Sequence, residues 1–582
     1  MIRFAAVSLL LMGLSMFSSA ATKGLPEFDR FVDRLFDDYL AQNPSRGTQL
    51  GLHQYDAKLE DYSSHAVEAQ VKWAHHKLEQ LARVDRMKLS DEQKVDAELI
   101  ENSLRAQLLD LEDVRSWQRN PDNYSSGITS SVFSIMSRNY ASQQERLRSL
   151  IARERQMPQA LEEGRRNLSN PPKMYVEVAI QQLPGIVDFF QNDVPMAFKD
   201  VKDEKLLAEF HETNAQVIAA LNSYGEFLKS SVLPNAHGDF RLGARNYARK
   251  LQYEEMVDIP LDRLLVIGQA DLERNQKEFL RVAKLIDPAK TPERILLEAE
   301  QDHPAAGNLL PTFRQTLEGE RRFITERHIV TIPSPVLPIV EETPPFMRAL
   351  TSASMDTPGP WEKVAKEAYF NVTLPEKDWT PERTRSWLEG FNRGTISSTS
   401  IHEAYPGHYV QFLVLQVAPV SKTHKILSCG SNAEGWAHYV EHMMLEEGYG
   451  RTPGVLEEQD TAFLKLRLGQ LQDALLRNAR FLVGIKMHTG AMTFDEGVKF
   501  FESEGRQTHE VAYRETLRGT SDPTYLVYTL GKLQILKLRD DYRNKMGDKF
   551  SLREFHDRFL EQGAPPVKII RRQMLGNDSP TL

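Results

Sequence analysis

The chain has 582 residues, 41% of them hydrophobic and 26% charged, with a formal net charge of −9. That length permits a large core and more than one lobe, and the composition is that of a globular protein. An acidic balance without a long basic run weighs against nucleic acid or an anionic membrane surface as the main partner.

The chain opens with a short positive start, Met1 to Arg3, then an apolar run from Phe4 to Leu14 and the small residues Ser18-Ser19-Ala20. This pattern predicts a secretory signal peptide over residues 1–20 and an exported protein, periplasmic or secreted. The apolar run is shorter than the roughly 20 residues of a membrane span, and no later stretch is apolar enough to cross a bilayer. No cysteine follows the run, which argues against a lipid anchor. Cys429 is the sole cysteine, so no intramolecular disulfide forms. It is expected as a small packed residue, with metal ligation the weaker alternative.

Helix after helix is then expected. Phe28 to Ala41 places Phe28, Phe31, Val32, Leu35 and Leu40 at helical spacing, and Asn43-Pro44 ends it. Thr48 to Tyr55 reads as a loop. Helices are predicted from about Ala66 to Val84 and from Ser90 to Leu111, the latter opening with Ser90 as N-cap. Ser116 to Met136 is polar and reads as irregular. Gln143 to Leu168 is helical, as is Val176 to Phe190 with a kink or split expected at Pro184-Gly185. Leu206 to Ser230 and Leu261 to Ile286 are amphipathic helices. Phe240 to Glu254 and His328 to Val340 read as extended, and Tyr369 to Leu374 as a short strand. From Thr380 onward the chain reads almost wholly as helix. The seam is expected between Pro333 and Pro360, dividing an N-terminal helical lobe (21–340) from a C-terminal catalytic, metal-binding lobe (341–582). A β element just before the site would suit an enzyme that pairs an extended peptide along a strand edge.

The chemistry concentrates in His402 to His408, which reads HEAYPGH. In the familiar H-E-x-x-H signature the histidines are four apart, about 40° around a helix, so both rings meet one metal. Six residues correspond to about 600°, which puts His402 and His408 on different faces of a straight helix. A break at Pro406-Gly407 would swing His408 back beside His402. Glu403 would then stand beside the first ligand, placed as general base.

Downstream, EGWAHYVE puts Glu434 and Glu441 on one helical stripe. Buried carboxylates are costly unless paired or coordinating a metal. Glu434 is a natural third zinc ligand, and Glu441 is placed to orient a ligand histidine. His438 is a rival ligand, more readily a packed neighbour. Trp436 is expected in the core. Ser521-Asp522-Pro523 reads as a helix start, putting Tyr525 and Tyr528 near an N-terminus as candidate hydroxyl donors to an oxyanion. Arg514 and Arg518 could bind a substrate carboxylate.

With HEAYPGH, EGWAHYVE, DPTYLVYTLGKLQILKLR (Asp522 to Arg539) and FHDRFLEQGAPPV (Phe555 to Val567), the chain resembles the bacterial family known as domain of unknown function 885. FDRFVDRLFDDYL running into NPSRGTQLGLHQYD fits too, so the likeness covers nearly the whole mature chain. That family looks similar to the helical gluzincins, such as angiotensin-converting enzyme, thimet oligopeptidase and the Taq-type carboxypeptidase. The resemblance implies a mainly α, two-lobed gluzincin-like fold with a small β element lining the cleft. It implies His402, His408 and Glu434 as ligands of one Zn2+, Glu403 as base, and Tyr528 as the tyrosine that steadies the tetrahedral intermediate. The expected function is an exported zinc metallopeptidase acting on short peptides. A zinc-dependent amidase or other hydrolase of a non-peptide substrate, and a catalytically inactive peptide-binding protein, are the alternatives.

Overall fold

The computed structural model describes residues 24–344, 348 and 351–582; the expected leader at 1–20 lies outside them. The fold is mainly helical, as expected, with one three-stranded sheet. No helix among the described residues is long and apolar enough to cross a membrane.

The first helix, Pro26–Gln42, buries Phe28, Phe31, Val32, Leu35, Phe36 and Leu40, the stripe read from the sequence with Phe36 added. Ser90 caps the helix Asp91–Leu108: its hydroxyl accepts from the Gln93 amide at 3.1 Å. Other stretches depart from expectation. Part of the stretch read as a loop at Thr48 belongs to a short helix, Pro44–Gln49. The serine-rich stretch from Ser116 is not irregular but contains a helix, Asp122–Ser137, because Tyr124, Ile128, Val132 and Ile135 form a buried stripe at helical spacing. Packing of that stripe outweighs the weak helix propensity of the serines. Residues Gly243–Glu254 form a helix rather than an extended segment; Tyr247 and Leu251, four apart, share its buried face. The helix is not split at Pro184-Gly185: Lys173–Asp188 runs through the proline, and a π turn follows at Phe189–Asp193. The single long helix expected from Gln143 to Leu168 is two, Gln143–Glu154 and Met157–Asn167.

The helices that build or brace the site are numbered in chain order: α1 Asp122–Ser137, α2 Leu261–Ile286, α3 Leu309–Arg327, α4 Arg393–Glu403, α5 His408–Val417, α6 Gly430–Glu446, α7 Thr461–His488, α8 His509–Ser521 and α9 Val527–Met546. The strands are β1 Ile339–Glu342, β2 Ala353–Asp356 and β3 Tyr369–Val372, in the order β1-β3-β2. β1 runs parallel to β3, with Val340 opposite Phe370; β2 runs antiparallel to it, with Met355 opposite Phe370. β2 therefore has one edge unpaired within the sheet.

One core gathers Phe313 of α3, Phe370 of β3, Ile401 of α4, Val410 of α5, Trp436 and Tyr439 of α6 and Ile535 of α9. Another joins Leu264, Leu272 and Phe279 of α2 to Leu468, Leu475, Phe481 and Leu482 of α7. Packing thus crosses residue 340 freely. A separate core between Leu59 and Ala236 belongs to the N-terminal helices.

Candidate metal centre

The break foreseen within HEAYPGH is present. α4 ends at Glu403 and α5 begins at His408. Gly407 makes the reversal sterically possible: a Cβ there would lie 1.8 Å from the His402 carbonyl oxygen. The Trp436 indole donates to the Pro406 carbonyl at 2.9 Å and fixes the turn from beneath. His402 and His408 end with ring centroids 4.8 Å apart and nearly perpendicular.

α6 supplies the third group. Its first amides, Gly430 and Ser431, donate to the Glu255 carboxylate, which caps the helix. Glu434 Oε2 then lies 3.4 Å from His402 Nε2 and 3.5 Å from His408 Nε2. These three residues form the cluster among the described residues able to hold a metal ion, with donor atoms all within 4.8 Å of one another. Tetrahedral zinc with bonds of 2.0–2.1 Å sets its ligand atoms about 3.3–3.5 Å apart. Glu434 Oε2 is buried and has no hydrogen-bond partner, an orphan acceptor facing two imidazole nitrogens. The residues present fit a divalent transition metal. The His408 and Glu434 side chains keep 23% and 30% of their surface, so the cluster opens to solvent on one side.

Electrostatics agree. Burial alone would raise the Glu434 carboxyl, but His402 and His408 outweigh it and hold it well below the usual carboxylate range. Burial opposes a charge on His402, yet Glu434 and Glu441 together push its pKa up to about 10. Glu441 is wholly buried and accepts from His402 Nδ1 at 2.7 Å, leaving Nε2 directed at the cluster. Its carboxyl stays ionised because Arg477, His438 and His402 overcome the desolvation. His438 lies behind, with Nδ1 3.0 Å from Glu441 Oε2, and burial pushes it down to about 3. It is not in the ligand cluster; it is the packed neighbour. Cys429 is not in it either, and its thiol points to Glu255 Oε2 at 2.8 Å. Trp436 is core.

Glu403 follows His402 as the last residue of α4, and its Oε2 accepts the backbone N–H of Met355 on β2 at 3.0 Å. Tyr528 is brought in by a helix crossing. α6 and α9 touch at Gly435 and Gly531, where a Cβ on Gly531 would fall 1.9 Å from the Ser431 carbonyl. Tyr528, one turn earlier, stacks its ring 6.3 Å from that of His402. Arg477 and Arg480 lie against the same phenol ring, 5.6 and 5.0 Å from its centre. Arg518 Nη2 approaches the hydroxyl at 3.5 Å and pairs with Asp522.

One expectation fails here. Ser521 ends α8 rather than starting a helix, and α9 begins only at Val527. Tyr525 therefore sits in the turn, 1% exposed, packed against Gly484 and Gly519, and does not face the cluster. Arg514 is exposed on α8, and no hydrogen bond or ion pair joins it to these side chains among the described residues. Two contributors have no local signal: Arg477 of α7, 3.0 Å from Glu441 Oε1, and the Met355 amide.

A mainly helical protein with a two-histidine, one-glutamate centre is thus defined. The chain belongs to the DUF885 family, described as bacterial protein of unknown function, whose profile matches residues 44–574. It is similar in structure to a candidate lipoprotein of unknown function from Shewanella oneidensis, 25% identical, with a TM-score of 0.77 over 94% of this chain and 99% of that one. A candidate lipoprotein from Colwellia psychrerythraea shares the fold at 17% identity, with a TM-score of 0.78 over 95% of this chain and 98% of that one. No curated protein matches the chain.

Proposed function

We propose that this protein is an exported zinc-dependent hydrolase of peptide bonds in short peptides, built on a gluzincin-like helical fold. The observation that carries the reading is the convergence of His402, His408 and Glu434 on one point, with Glu403 next to His402 in the chain. A divalent ion held by those three supplies Lewis acidity, polarising a substrate carbonyl and acidifying water.

The remaining work falls to the chain. Glu403 Oε2 is occupied by the Met355 amide, so Oε1 takes the proton of the attacking water and later returns it to the leaving nitrogen. Glu441 holds His402 in one tautomer through Nδ1. Tyr528 offers a hydroxyl to the oxygen on which charge develops. Arg518, beside that hydroxyl, is placed to receive a substrate carboxylate. β2 is the edge strand of the sheet; with the Met355 amide already given to Glu403, an extended peptide can add along the groups that remain on that edge. The apolar leader, and relatives described as candidate lipoproteins, support an exported setting.

A zinc-loaded preparation assayed against a library of di- to decapeptides and against non-peptide amides tests the assignment. Turnover of ordinary peptides supports it. Turnover confined to non-peptide amides contradicts it.

A further inference from the structure

The general-base candidate is held by a strand, and that strand is held in turn by the N-terminal helices. Arg138 follows α1 directly and is 7% exposed. Its Nη2 donates to Asp356 Oδ1 at 2.5 Å, and its Nη1 donates to the Glu367 carbonyl. The guanidinium also lies 5.7 Å over the Tyr369 ring. Asp356 and Tyr369 are register partners at the closed end of the β2–β3 ladder. A single cation therefore fastens the last residue of β2, the residue before Ala368 and the first residue of β3. Met355, whose amide holds Glu403, is the very next residue along β2.

The connection from β2 to β3 is gripped a second time. The Trp361 amide donates to the Leu50 carbonyl at 3.0 Å, and His53 Nε2 meets Glu362 Oε2 at 2.8 Å. Both anchors come from the chain's first sixty residues. β2 itself is four residues long and paired on one side only, a strand too short to hold a fixed position unaided.

We infer that Arg138 is a positioning residue for the reaction: through Asp356 it sets β2 so that the Met355 amide orients Glu403 at the metal centre. This inference rests on the hydrolase reading above. It assigns the N-terminal helices a part in catalysis that no direct contact with the centre would suggest. Small displacements of a reacting group, of about 1 Å, cost up to about a hundredfold in rate.

The test uses the full mature chain loaded with zinc, as wild type, Arg138→Gln and Arg138→Lys, with Asp356→Asn as the second variant should Arg138→Gln fail to fold. Four quantities are read: kcat, KM, zinc stoichiometry, and amide exchange over 351–358. The expected result for Arg138→Gln is a kcat lower by about tenfold to a hundredfold, with KM within about twofold and full zinc content. Exchange at β2 should be faster, and Arg138→Lys should recover part of kcat. An unchanged kcat overturns the inference, as does a loss of zinc and KM together with kcat, which would mark a merely structural role. Should the wild type hydrolyse no peptide, the hydrolase reading fails; amide exchange at β2 then decides the positioning alone, and exchange unaltered by Arg138→Gln overturns it.

Discussion

Glu441 carries more of the centre than its distance from the surface suggests. It is a fully buried carboxylate that meets His402, His438 and Arg477 at 2.7, 3.0 and 3.0 Å. Removing its charge frees the His402 ring and leaves Arg477 without its anion. Glu441→Gln should weaken zinc affinity by about 10- to 100-fold, read by competition with a chelator. Tyr528 and Tyr525 make a paired control at the same scale. Tyr528→Phe removes a hydroxyl beside the centre and should lower kcat by about 10²- to 10³-fold. Tyr525→Phe removes a buried hydroxyl without a partner, and kcat should stay near wild type. The convergence of His402 and His408 was legible in the sequence because Pro406-Gly407 announced the break that their spacing demanded. The choice between the two tyrosines was not, because it turned on a helix boundary four residues from where Asp522-Pro523 suggested.

At the scale of elements, the centre depends on two close approaches of backbone. The α4–α5 break needs Gly407, whose Cβ would collide with a carbonyl of the preceding turn. Gly407→Ala should shift His408 away from His402 and abolish stoichiometric zinc binding, while far-ultraviolet circular dichroism stays helical. The α6–α9 crossing at Gly435 and Gly531 explains why Tyr528, far along the chain, meets His402. No sequence pattern announces that crossing, since either glycine alone reads as a weak point in a helix. Neither could β2 be foreseen: Ala353–Asp356 is short and partly exposed throughout, with none of the alternation that marks a strand. By contrast, Tyr369–Val372 is buried along most of its length, and its β-rich composition showed.

For the whole molecule, stability and function are separable. Glu320 of α3 is 0% exposed, and neither of its carboxylate oxygens finds a donor among the described residues. Burial holds its pKa well above the ordinary 4.5. The folded state therefore keeps a proton that the unfolded chain gives up, so stability falls as pH rises above about 4.5 toward the raised value. Glu320→Gln removes that dependence. Its Tm advantage over wild type should be small near pH 4.5 and grow as pH rises above it, as thermal denaturation at a series of pH values would show. The mainly helical architecture followed from apolar periodicity along most of the chain. The long-range fastenings did not, because Arg138 to Asp356 and α2 to α7 join residues some two hundred positions apart. Nothing local distinguishes such a cation from one on a solvated face.

The central claim is that His402, His408 and Glu434 hold a catalytic zinc served by Glu403. The most direct measurement pairs metal analysis with peptide hydrolysis for wild type and Glu403→Gln. The account predicts one zinc per chain in both proteins and a rate about 10²- to 10⁴-fold lower in the variant. A wild type without stoichiometric metal, or a Glu403→Gln protein with full hydrolysis, would contradict it.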